Sequence, residues 1–244
     1  MTRTRPIYVP QQVASAYTLR YLWDEWCGED LYANLQDDDL LRRQEGLSDR
    51  ANLALASACT EWIVYRYEGL SHDPVPHEFL QAMWAAGVDT RYARPWEPEP
   101  ENWTGPVRGP LLVAMQYGQE AIRELAVQSG PGMAVLYLSG LARIVLPDYA
   151  GFLVWRDHTI NHLHQLFPSD PDDAMGDVVP QQALSLRQPF DPRLIEPLVQ
   201  EFLNGLDPRR NKFLHRPDEM KQLLFDGTPY AFSFAQDQQF RNEW

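Results

Sequence analysis

Asp37, Asp38 and Asp39 stand side by side in NLQDDDLLRR, residues 34–43. Three adjacent carboxylates repel one another unless a metal, a basic partner or water takes up their charge. Spacing removes the calcium option. An EF-hand loop needs ligands at alternate positions, glycine at position six and glutamate at position twelve. Counted from Asp37, positions five and six are Leu41 and Arg42; counted from Asp170, they are Ala174 and Met175. The histidines in DHTINHLH are better spaced, because His158 and His162 are four apart and on a helix could share one metal. Thr159, however, follows His158 where an HExxH metalloprotease carries its glutamate. A metal-dependent enzyme using His158 and His162 would need a third ligand, such as Asp157 or the distant His215. The expectation is a chain with no metal and no cofactor.

Nucleophile and phosphate motifs are also missing. Ser129 and Ser139 each precede a glycine, yet neither lies in G-x-S-x-G. GPGMAV, residues 130–135, lacks the third glycine and the preceding strand of a nucleotide-binding loop. Asp172 and Asp173 would serve a glycosidase only across a sugar groove. Trp62, Trp84 and Trp155 fall at helix-core spacing and read as packing. No catalytic residue is expected.

The acids themselves remain. The chain has 34 Asp and Glu against 21 Lys and Arg, a net charge of −13 over 244 residues. Between Asp24 and Leu41 lie Asp24, Glu25, Glu29, Asp30 and Asp37 to Asp39 with no base, and Asp157 to Leu186 is a second base-free run holding Asp170, Asp172, Asp173 and Asp177. On a helix, residues 37–39 fan out over about 200°, so they cannot share one buried pocket. This balance argues against nucleic-acid binding, which draws on basic residues, and favours a basic protein partner steered by charge. The expected contact residues are Glu29, Asp30, Asp37, Asp38, Asp39, Asp170, Asp172 and Asp173. Plain solvation would account equally for either run taken alone.

The elements that must position these residues are helical. Periodicity predicts helices over 12–26, 48–69, 76–86, 110–128, 132–145, 148–167, 191–205 and 217–225, with Pro197 a possible kink. The clearest is 48–69, where Ala51, Leu55, Ala58, Trp62 and Tyr65 form one stripe between Ser48 and Gly69. Only PYAFSFA, with alternating Tyr230, Phe232 and Phe234, looks strand-like. The expected fold class is mainly α, with little or no β. Five prolines in residues 91–110 argue against a continuous helix and suggest a joint between two helical subdomains, 1–95 and 96–244. Residues 168–192 form a second long connection, of the kind that is usually functional or mobile. The most apolar window, 132–146, is too short to span a bilayer and carries Arg143. Cys27 and Cys59 lie outside any CxxC pattern, which suits a reducing compartment, and no apolar stretch follows the basic N-terminal residues. A cytoplasmic protein without membrane contact is expected.

RANLALASACTEWIVYRYEG followed by WTGPVRGPL resembles small acidic helical immunity proteins found beside toxin genes in bacterial type VI secretion loci, over roughly residues 48–125. The resemblance implies a stoichiometric inhibitor without catalytic activity that neutralises a cognate basic toxin, a nuclease effector. The expected function is therefore a cytosolic acidic binding protein of the immunity type. The alternatives are the His158–His162 metal enzyme and a non-catalytic helical adaptor or scaffold.

Overall fold

The computed structural model describes residues 4–14, 18–24, 27, 37–130, 132–187 and 189–242. Among them are ten α-helices and no strand: α1 (Gln11–Ala14), α2 (Asp38–Gln44), α3 (Asp49–Arg66), α4 (Val75–Ala86), α5 (Gly105–Ala126), α6 (Gly132–Val145), α7 (Tyr149–Leu166), α8 (Ile195–Asn204), α9 (Pro217–Gln222) and α10 (Phe234–Asn242). The mainly α class expected from periodicity is the one that forms. Helices α2, α3 and α7 are among those that start on side chains accepting first-turn amides otherwise left without partners. Asp37 accepts from Leu40 N–H at 3.0 Å, Ser48 from Ala51 N–H at 3.3 Å and Asp148 from Gly151 N–H at 2.9 Å.

Helix α3 is the centre. It packs against α4, α5, α6 and α7, and 17 of its 18 residues are buried. The apolar stripe read from its sequence is therefore only one side of a helix that is enclosed all round. One apolar core extends from Tyr8 through α3 to α7 and on to Phe232, so the boundary expected at residue 95 falls within continuous packing.

Three local expectations change, each for a physical reason. Helix α5 begins at Gly105 and passes through Pro110, inside the segment expected to break. Pro110 has no N–H to give the Pro106 carbonyl; the Tyr21 hydroxyl donates to that carbonyl instead. Of the described residues in and around the helix expected over 12–26, Gln11–Ala14 are helical and 18–24 are not. Arg66 Nη2 donates to the Thr18 carbonyl at 2.9 Å, and Trp23 lies over Gly109, where a Cβ would come within 2.1 Å of its indole nitrogen. Tertiary contacts thus override the weak local preference. The strand suggested by Tyr230, Phe232 and Phe234 does not form. Tyr230 has φ of 63°, its N–H donates to Tyr92 Oη at 3.0 Å, and Phe232 N–H donates to Gln200 Oε1 at 2.7 Å. Side chains take the amides that a neighbouring strand would have used.

The second long connection docks on the start of α3. Asp49 N–H donates to the Ala174 carbonyl at 2.9 Å and Arg50 N–H to that of Met175 at 3.2 Å. Gly176, at φ of 69°, lies where a Cβ would meet Ser48 Cβ at 2.4 Å, so only glycine permits this approach. Arg50 Nη1 reaches the Gly176 carbonyl at 3.1 Å and pairs with Asp237 of α10 at 2.7 Å, while Nη2 donates to the Val88 carbonyl at 2.7 Å. Arg241 continues the network, donating to Asp237, Asp173 and Asp177. No helix among the described residues is long and apolar enough to cross a membrane.

Replacing Asp237 by alanine leaves Arg50 buried without its counter-ion. Urea unfolding should show a loss of about 3 kcal/mol. Asp177→Ala, which removes an exposed partner of Arg241, should cost about 0.5 kcal/mol or less in the same measurement.

Candidate functional site

The aspartates that opened the sequence reading begin a helix. Asp37 is engaged as the N-cap of α2, whereas Asp38 and Asp39 are exposed in its first turn, where negative charge complements the helix dipole. Asp39 lies 3.5 Å from Arg42, an exposed pair worth at most a few tenths of a kcal/mol (about 0.5 or less). In the second run, Asp170 accepts from Asp172 N–H at 2.9 Å, and both side chains are exposed on a tight turn. Asp173 is used differently. It accepts from Gly176 N–H at 3.1 Å and pairs with Arg241 at 2.6 Å. Burial alone would raise its carboxyl, but these hydrogen bonds hold it below the ordinary aspartate value. Space thus supplies a base to a run that has none in sequence. Glu29 and Asp30 lie outside the described residues.

These two acidic turns flank α7. Arg43 of α2 pairs with Asp157 at 3.2 Å, His164 Nε2 contacts the Arg43 carbonyl at 2.6 Å, and Ser169 N–H donates to the Gly46 carbonyl at 2.9 Å. Asp37 lies close enough to Tyr149, at the start of α7, to help raise its phenol, although burial does most of that. The 170–173 turn follows the other end of the helix. The eight positions from Asp38 to Gly46, mostly helix at 1.5 Å each, and the Gly46–Ser169 hydrogen bond put the two turns within about 20 Å of each other.

The histidine pair gains no third ligand. His158 is exposed, and His162 is half-buried with its Nε2 enclosed and without a hydrogen-bond partner. Asp157 is held by Arg43 and Arg156, and His215 Nδ1 lies 2.9 Å from the Arg91 carbonyl. Among the described residues no group of three or more His, Cys, Asp or Glu could hold a metal ion. The buried Cys59 thiol is pushed up to about 12 by its surroundings, so it is not poised as a nucleophile.

A different feature dominates the interior. A cavity of about 540 Å³ opens between α3, α4, the 178–182 segment and α8, with Glu61 among its lining residues. Glu61 is 3% exposed. Its Oε1 accepts from Trp84 Nε1 at 2.9 Å and from Gln181 Nε2, and its Oε2 accepts from the Tyr8 hydroxyl. Burial nevertheless pushes its carboxyl up to about 7, with the three donors offsetting only part of the desolvation. Tyr8 stacks on Trp155 at 5.3 Å, and Trp155 lies 5.4 Å from Trp62, so the donor is fixed by an aromatic stack. The rim reaches solvent at Thr4, Gln182, Asp207 and Arg210.

Trp62, Trp84 and Trp155 are core residues, as their spacing suggests, but Trp84 also addresses the carboxylate. Glu61 was not singled out in sequence. The available signal was its position, about 60° from Ala58 and 40° from Tyr65 at 100° per residue, on the apolar stripe of α3. Comparison with protein-family models, with curated proteins and with solved structures finds no match.

The Glu61 carboxyl is raised in the folded state from an ordinary value of 4.5 to about 7. The folded chain therefore holds a proton that the unfolded chain releases between these values, and its contribution to stability falls as pH rises through this window. The unfolding free energy of the native chain relative to Glu61→Gln should drop by roughly 3 kcal/mol from pH 4.5 to pH 7. Urea titrations of both proteins across that range read the difference; parallel profiles would count against a strained Glu61.

Proposed function

We propose that the chain is a non-catalytic acidic binding protein, an immunity-type inhibitor that neutralises a basic toxin, a nuclease effector, by direct complex formation. The observation that supports this reading most is the state of four expected contact residues. Asp38, Asp39, Asp170 and Asp172 are exposed on turns anchored to the core, and no guanidinium of the described residues pairs with Asp38, Asp170 or Asp172. Fixed carboxylates of this kind raise association rates with a positive surface and can stand in for the phosphates such a surface recognises. A standard interface covers about 800 Å² per partner, about 30 Å across, so one protein can reach both turns. A metal-dependent enzyme built on His158 and His162 has less support, because its suggested further ligands, Asp157 and His215, are engaged elsewhere. An adaptor would use the same surfaces with a different partner.

The test is co-expression with the product of the adjacent gene. A stoichiometric complex with a basic protein and loss of that protein's toxicity are expected. Asparagine at positions 38, 39, 170 and 172 keeps side-chain shape and removes charge. This variant should associate roughly tenfold more slowly at low salt, with a smaller difference at high salt and an unchanged unfolding midpoint. An unchanged rate at low salt, or no complex at all, would sink the reading.

A further inference from the structure

None of the exposed aspartates of the acidic turns lines the Glu61 cavity, so it stands apart from the partner reading. We propose that it is a binding site for a small organic cation, one guanidinium or ammonium group on an apolar body, with Glu61 as the counter-ion. Size is the first argument. At about 540 Å³ the space lies in the range of ligand sites and far exceeds the ~30 Å³ share of one water. Charge is the second. Glu61 and Glu78 line the cavity, and at its exposed rim Asp207 pairs with Arg210 at 3.5 Å. An anion would meet the Glu61 and Glu78 carboxylates, whereas a cation neutralises the deeper of them.

Hydrogen-bond capacity is the third argument. An ionised carboxylate has about four lone-pair sites. Tyr8, Trp84 and Gln181 occupy three at Glu61, and the remaining one is on Oε2. A charged N–H placed there makes the strong, charge-assisted type of bond in a site where water is displaced. Trp84, Val179 and Phe202 supply apolar wall for the body of the ligand. The aromatic face of Trp84 or Tyr65 adds cation–π attraction to the same sign of charge.

Calorimetric titration of the full chain with butylamine, agmatine, phenethylamine and benzylguanidine tests this, with butylurea as the uncharged control. At least one cation should bind with one-to-one stoichiometry and Kd below about 1 mM. Binding should weaken roughly tenfold or more in Glu61→Gln, and butylurea should bind at least about tenfold more weakly than the cations. Val179→Trp, which fills the cavity without touching the carboxyl, should abolish binding while circular dichroism stays helical; it decides the matter should Glu61→Gln fail to fold. The proposal is overturned if none of the four cations binds, if Glu61→Gln or Val179→Trp binds them as well as the native chain, or if butylurea binds equally.

Discussion

An 18-residue helix enclosed on every side has no solvent face on which to place Arg50, Glu61 and Arg66. A buried charge is tolerated only when paired or hydrogen-bonded, and each of these three meets that demand by drawing in chain from far along the sequence. Arg50 holds Gly176 and Asp237, and so fixes the long connection and the C-terminal helix α10. Glu61 holds Tyr8 of the N-terminal segment and Gln181 of the connection. Arg66 holds the carbonyls of Thr18 and of Val145 at the end of α6. The helices around α3 pack by apolar contact, but the irregular segments are placed by its charges.

This arrangement explains why the cavity and the acidic turns differ in kind. The cavity exists because Glu61 keeps Trp84, Tyr8 and Gln181 converged on one point, with α8 closing the far side. Its Glu61 charge is deep and desolvated. The acidic turns are the reverse. They lie at element ends where water solvates each carboxylate, and their worth comes from summed field rather than from any one contact. Asp173 marks the dividing line, since its charge is drawn inward by Arg241 while Asp170 and Asp172, one to three residues before it, remain outward.

Much of the helical scaffold was legible because its signals are local. Ser48, Asp148 and the apolar spacings of α3 to α7 place those helices within three residues, except at the start of α5. There the difficulty was Pro110, whose cost is met by Tyr21, 85 positions before the Pro106 carbonyl that it satisfies. The same holds for residues 18–24 and for PYAFSFA, where distant groups take the backbone donors and acceptors that local pattern assigns to helix or strand. Arg50, Glu61 and Arg66 were hardest to interpret, because charged residues on a helix normally mark its wet face. The exposed aspartates were readable as a surface feature, but the capping role of Asp37 and the pairing of Asp173 needed the fold.

Hydrogen exchange of the chain alone and in complex with its basic neighbour tests the account most directly, because it locates the interface without altering any residue. The account predicts added protection confined to the start of α2 and to residues 168–173, with α3 equally protected in both states. Protection centred on other surfaces, with both acidic turns exchanging as freely as in the isolated chain, would contradict it.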